Sequence, residues 1–179
     1  MESYHVEFEV GHGHFGRALV CEHKILGKRV VIKRIPMRHG KPEERTKAMQ
    51  EAMLLRGLQH PCIVRYVDYF LTPTNVLCIV MEYCDGGDVA DLVKKARDAR
   101  TPLSSDAILD LFSRVVLAVA YCHTPHGSSS VRVLHRDIKC SNIFLTSDGR
   151  VFLGDFGVSK ILMDTHDMAA TVIGERWGG

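Results

Sequence analysis

The 179-residue chain has no CxxC pair among its six cysteines, no marked excess of either charge, and no apolar run near the ~20 residues that a membrane span needs. Each absence excludes something. Cys21, Cys62, Cys78, Cys84, Cys122 and Cys140 are scattered, and most lie inside apolar runs. They are expected as reduced, mostly buried thiols of a cytosolic protein, not as disulfides. Zinc is not expected either: His12/His14 flank Gly13, His123/His126 lie in a loop, and neither pair has a cysteine at finger spacing. The opening MESYHVEFEV is acidic and alternating, which no secretory signal is. With a net charge of +2 and acids interspersed among the bases, neither a nucleic-acid nor a membrane partner is expected.

What is present is an ordinary globular composition, 46% hydrophobic and 25% charged, enough for one good-sized core or two small ones. The first third alternates like strands. YHVEFEV, RALVCEH and RVVIKRI are separated by the turn sequences GHGHFG and LGK, which predicts an antiparallel meander. A helix is expected from Pro42, with Glu43 and Glu44 at its positive end, to about Leu58, where His60-Pro61 stops it. IVRYVDYF and NVLCIVMEY follow as strands. CDGGD then breaks the chain, so strand-rich sequence gives way to helix-rich sequence near residue 83. Asp88 is placed to cap a helix through about Ala99, and Ser104 a longer one, SDAILDLFSRVVLAVAYCH. NIFLTSDGRVFL reads as a small hairpin turning at Ser147–Gly149.

Three constellations carry chemistry. Gly11, Gly13 and Gly16 form GxGxxG. A dinucleotide site would need a helix next, whereas RALVCEH reads as a strand, so a glycine hairpin over phosphates fits better; taken alone, a plain β-turn fits as well. Lys33 sits where a strand side chain points inward and needs an anionic partner. Glu51 lies between Leu55 and Leu58 on the helical wheel, with Ala48 one turn back, so a Lys33–Glu51 pair would resolve both anomalies. Glu51 reaching past the edge of that face to solvent is an equal alternative. Finally, LHRDIKCSNIF holds Asp137, Lys139 and Asn142, and Asp155 follows in GDFG. Asp137 can accept or orient a hydroxyl proton, and Lys139 can neutralise charge on a transferred group. Asn142 and Asp155 offer the oxygen ligands that Mg2+ prefers. The combined task is phosphoryl transfer.

Taken in order, Gly11/Gly13/Gly16, Lys33, Glu51, HRDIKCSN and DFG resemble the protein kinase family. Lys139 resembles the serine/threonine type, and QHPCIVRY, IVMEYCDGGD and TVIG look like the NIMA-related kinases. The resemblance implies an α+β, two-lobe kinase-like fold. Residues 1–82 would form an N-lobe, with an antiparallel five-stranded sheet and one helix, and residues 83–179 an incomplete helical C-lobe. It implies ATP and Mg2+ as cofactors, a protein substrate, and a cytoplasmic site with cilium or centrosome association in the family. Residue by residue, Asp137, Lys139, Lys33 and Glu51 would be catalytic. Gly11, Gly13, Gly16, Ala18, Val31, Lys33, Met81 (the gatekeeper), Glu82 and Cys84 would hold the nucleotide, and Asn142 and Asp155 the metal. His135 and Phe156 would stack with Leu55, and Arg136 would await a phosphate on Thr171.

The chain departs from the pattern in three places. Ala18 and Val31 exchange the usual valine and alanine around adenine, at roughly conserved volume. TPHGSSS expands the segment before the catalytic loop. After Gly174, the sequence Glu175-Arg176-Trp177-Gly178-Gly179 replaces the expected Thr-Pro-Tyr-type continuation, with Glu175 where a supporting threonine is usual. The helix at 104–123 is apolar nearly all round, so without a covering helix it is expected to expose an apolar patch, to offer a partner surface there, and to leave the chain marginally stable. The alternative to an active kinase is an impaired nucleotide-binding or interaction module, or a fragment of a full kinase whose reading frame changes after Gly174.

Overall fold

The computed structural model describes residues 1–13, 16–37, 42–124 and 132–156, with only the backbone at residues 12, 13, 42–44, 47 and 51. The serine-rich insert from Pro125 to Ser130, Gly157, Thr171 and the departure after Gly174 lie outside the described residues.

Three antiparallel strands open the chain: β1 (Tyr4–Gly13), β2 (Gly16–His23) and β3 (Lys28–Pro36). Helix α1 (Pro42–Gly57) ends one residue before the expected Leu58. Strands β4 (Tyr66–Leu71) and β5 (Val76–Glu82) complete a five-stranded sheet of order β1-β2-β3-β5-β4, antiparallel throughout. The strand β5 therefore inserts between β3 and β4 as an interior strand beside the edge.

Strand periodicity gives the sheet two apolar faces. Leu19, Cys21, Val30, Ile32, Cys78 and Val80 form a buried cluster on one side. On the other, Ile35, Leu77, Ile79 and Met81 join a larger core with Ala48, Leu55 and Leu58 of α1. Strand spacing of about 4.8 Å would hold the edge strands β1 and β4 roughly 19 Å apart in a flat sheet. Tyr4 of β1 and Phe70 of β4 nonetheless stack with ring centroids 6.3 Å apart. The sheet is therefore strongly curled, and these two rings pack on the first cluster.

Two helices follow, α2 (Val89–Asp98) and α3 (Ser105–His123), each with the expected cap. The Asp91 backbone N–H donates to the Asp88 side chain at 2.8 Å, and that of Ala107 donates to Ser104 Oγ at 3.2 Å. The hairpin β6 (Ile143–Leu145) and β7 (Val151–Leu153) closes through a turn where Gly149 has φ 84°, with its N–H on the Thr146 carbonyl at 2.9 Å. Ala118 and Cys122 of α3 pack with Phe152 and Leu153 in the same large core. The rest of α3 is open: Ile108, Leu109, Phe112, Val116 and Leu117 are all exposed. Among the described residues, no helix is long and apolar enough to cross a membrane.

Candidate active site

Sheet register builds the roof of a cleft of about 600 Å3. Cross-strand pairing sets Ala18 opposite Lys33 and Val31 opposite Met81, and all four line that cleft together with Gly11. Its back is the linker that leaves β5, with Glu82, Tyr83 and Cys84, and its floor includes Phe144 of β6. Met81 is buried in the main core, so the inner end is closed by a side chain that packing holds in place. None of the hydrogen bonds among the described residues uses the backbone N–H of Cys84, while that of Glu82 donates to the Arg65 carbonyl at 2.9 Å. The Cys84 thiol is pushed up to about 12 by burial, reinforced by the charges of Glu82 and Asp85, so it stands in the cleft as a neutral S–H.

The glycines differ in why they are glycines. Gly16 has φ 133°, and a Cβ there would lie 1.9 Å from the Arg34 carbonyl oxygen; the fold itself forbids a side chain. At Gly11 a Cβ would meet only the Cβ of Ala18, at an ordinary 3.7 Å. Gly13 pairs with Gly16 at the end of the β1–β2 ladder.

Lys33 is mostly buried, and its ammonium forms an ion pair with the Asp155 carboxylate, which also lines the cleft. The side chain of Glu51, its expected partner, is outside the described residues. Asp137, Lys139 and Asn142 are not among the residues that line the cleft, but they form one network beneath it. Lys139 Nζ lies 2.8 Å from Asp137 Oδ2. Buried Asn142 donates through Nδ2 to the Asp137 carbonyl at 2.7 Å and to Oδ2 at 3.1 Å. That network raises the pKa of Lys139, chiefly through its hydrogen bond to Asp137, so its charge is secure.

The Gly154 peptide unit links the two halves. Its N–H donates to the Asn142 carbonyl at 3.0 Å, and its carbonyl meets His135 Nε2 at 2.9 Å. Since the Asp137 N–H points at His135 Nδ1 (3.3 Å), Nδ1 is the acceptor and Nε2–H donates to Gly154. His135 is buried, and burial lowers its pKa, so the neutral ring matches its bonds. Its ring packs on Phe156 at 4.5 Å, and Leu55 and Phe156 share the main core. Arg136 and Asp155, one on each side of this junction, have φ of 63° and 51°. Left-handed backbone in residues with side chains persists where surrounding bonds over-determine it, and here the fastened Gly154 peptide does so.

Two residues of the site escaped the sequence reading. Gly154 is one: a Cβ there would lie 2.6 Å from Val64 Cγ2 and 2.9 Å from Phe144 Cε2. Tyr66 is another, packed edge-on against Phe156 at 6.2 Å and held protonated by burial. The glycine preceding Asp155 was a visible signal for the first; nothing local marks the second.

Comparison with known proteins finds relatives along nearly the whole chain. A serine/threonine-protein kinase Nek6 from Oryza sativa subsp. japonica is 40% identical over 174 residues, covering 97% of this chain and 31% of the rice protein. Nek2 from Homo sapiens is 38% identical over 174 residues, covering 97% of this chain and 39% of its own length. Nek1 from Mus musculus is 38% identical over the same span, which is 14% of that protein. The chain thus spans a minor part of the curated relatives it matches. The family described as protein kinase domain matches residues 4–178, nearly the whole chain. The chain, with Lys33 and Asp155 in the cleft and the Asp137, Lys139 and Asn142 network beneath it, belongs to the protein kinase domain family.

Proposed function

We propose that this chain is the phosphotransfer part of a serine/threonine protein kinase, moving the γ-phosphoryl group of ATP to a hydroxyl of a protein substrate in the cytoplasm. In this reading residues 1–82 form the nucleotide-covering lobe and residues 83–179 part of the substrate-binding lobe. One observation carries it. Asp155 faces the cleft against Lys33, while the preceding peptide unit is fastened to the loop that carries Asp137, Lys139 and Asn142.

In this reading each residue has a distinct role. Apolar Ala18, Val31 and Met81 enclose a flat base, and the linker backbone at Glu82 and Cys84 supplies its polar contacts. Lys33 provides a positive charge for phosphate oxygens. Asp137 orients the attacking hydroxyl and takes its proton, held by Asn142 and Lys139. Lys139 balances charge on the transferred group. Glu51, by resemblance, steadies Lys33 once phosphate oxygens compete with Asp155 for its ammonium.

The residues fit Mg2+. Asn142 commits its NH2 group to Asp137, which leaves its amide oxygen as the donor for a cation, and Asp155 adds a carboxylate. One or two protein oxygens are what Mg2+ takes when phosphates and waters complete its shell. When bound, the ion screens the phosphate charges that phosphoryl transfer builds up. The test is transfer of the γ-phosphate to a generic basic protein. The unsubstituted chain is expected to transfer it, and Asp137→Asn to bind magnesium–ATP but not transfer. Nucleotide binding without turnover in the unsubstituted chain would leave the impaired-module reading in its place.

A further inference from the structure

The linker between the sheet and α2 is zipped onto the β6–β7 hairpin. Asp88 and Phe144 form an antiparallel bridge. The Gly86 N–H donates to the Leu145 carbonyl, and the Leu145 N–H to the Gly87 carbonyl, both at 2.8 Å. Contact is backbone on backbone, since a Cβ at Gly86 would lie 2.9 Å from Leu145 carbon and oxygen atoms. One side-chain contact closes the zip at the end nearest Cys84. Asp85 Oδ1 accepts from the Ser147 N–H at 2.8 Å, and Oδ2 from Ser147 Oγ at 2.7 Å.

The two sides of this contact differ in stiffness. The hairpin turn is braced internally: Thr146 Oγ1 bonds Asp148 and accepts the Arg150 N–H, and Arg150 Nε reaches Asp148 at 2.9 Å. The segment from Tyr83 to Asp85 lies beyond the last paired residue of β5, Glu82, and before the bridge at Asp88. Its position is therefore set by what it is tied to. Tyr83, Cys84 and Asp85 line the cleft from one side, and Phe144 from the other. A tie between linker and hairpin fixes the distance between those two walls.

We propose that Asp85 and Ser147 form a latch that positions the base-binding linker against the hairpin, and so sets nucleotide affinity without taking part in phosphate transfer. The proposal rests on the kinase reading above. Ser147 hydrogen bonds hold Asp85 below the usual carboxylate range, so the latch carries its charge throughout neutral pH. Opening the latch reduces the fraction of molecules whose walls are correctly spaced, and apparent affinity falls by that fraction. Both residues are positioning residues.

The test compares Asp85→Ala, Ser147→Ala, the double variant and Ser147→Thr. Magnesium–ATP binding, KM and kcat are measured with hydrogen exchange at Gly86 and Leu145. Asp85→Ala, which loses both bonds, is expected to raise the nucleotide Kd about fivefold, and Ser147→Ala, which keeps the main-chain N–H, about twofold. The double variant should match Asp85→Ala, because the two residues act as one contact. Ser147→Thr should restore affinity, kcat should stay within about twofold throughout, and Gly86 and Leu145 should exchange faster in Asp85→Ala. Additive effects, a fall in kcat with Kd unchanged, or unchanged exchange would each overturn the latch. An unsubstituted chain that does not bind magnesium–ATP would sink the kinase reading, and with it the affinity role, even if exchange responds. Should Asp85→Ala fail to fold, Ser147→Ala removes one exposed hydroxyl and decides the same question.

Discussion

The sheet region and helix α3 are both rich in apolar residues, yet they use them in opposite ways. Ile32, Val80, Cys21 and Cys78 on one face of the sheet, and Leu77 and Ile79 on the other, are all but sealed from solvent. Curling of the sheet allows this, since Tyr4 and Phe70 from opposite edges meet over the first face while α1 packs against the second. Helix α3 buries only Ala118 and Cys122, and leaves Leu109 and Phe112 about two-thirds exposed (64% and 66%). Burial, not composition, separates structural from available surface. The candidate catalytic loop lies after α3 and is tied to the sheet side through Gly154 and Asp155, so the chemistry stands at the join of a closed region and an open one.

The largest effect expected lies at that join. Asp137→Asn keeps the hydrogen-bonding shape but cannot take the hydroxyl proton. Transfer of the γ-phosphate is expected to fall about 10²–10⁴-fold with nucleotide binding kept, as steady-state kinetics and calorimetry would show. A variant that loses binding and transfer together would mean that Asp137 supports the loop rather than the reaction.

Next comes the closed region. Ile32→Ala removes a side chain with 0% exposure from the curled face, and about 2–5 kcal/mol of stability should go with it in denaturant unfolding. A cost under about 1 kcal/mol would show that the Tyr4–Phe70 lid is loose, and the contrast with α3 would weaken.

How much of this contrast was legible in the sequence depends on range. Both caps, Asp88 and Ser104, and the hairpin turn at Gly149 were readable because each is set by a few adjacent residues. The first three strands were readable from alternation and turn sequences, and β4 and β5 as apolar runs between breaks, although β5 buries five consecutive residues rather than alternate ones. Long-range partners were not. Lys33 meets Asp155 across 122 residues, and Asp85 meets Ser147 across 62; neither separation leaves a periodic signal. The sheet's curl was equally hidden, because Tyr4 and Phe70 are unremarkable at their own positions and meet only through the register of the strands between them.

His135 offers a smaller, pH-dependent probe of the join. Its Nδ1 accepts a hydrogen bond, so protonation would set two N–H groups against each other in a buried place. The folded pKa is therefore below the unfolded value of about 6.5. At neutral pH both states carry a neutral ring and the contribution is fully present. As pH falls below the unfolded value, the unfolded chain takes up a proton that the folded chain refuses, and stability drops until the folded pKa is passed. One such group changes stability by at most about 1.4 kcal/mol per pH unit. Melting curves of the unsubstituted chain and His135→Asn between pH 7.5 and 5, as about the useful range for imidazole, should diverge on acidification, the variant losing less. Parallel curves would place the proton elsewhere.

The smallest effect should come from the open helix face. Leu109→Ser and Phe112→Ser remove apolar groups that already contact water, so each should change unfolding free energy by no more than about 0.5 kcal/mol. Removing them should instead reduce what exposed apolar area causes, namely self-association and binding of hydrophobic dyes, which light scattering and dye fluorescence would read. The two readouts pull apart two descriptions of α3. A face open to water gives little change in stability and less association. A face packed against other parts of the chain gives the reverse, with a loss of about 2 kcal/mol or more for Phe112, the size that core truncations reach. That outcome would make α3 as closed as the sheet and erase the distinction between the two regions.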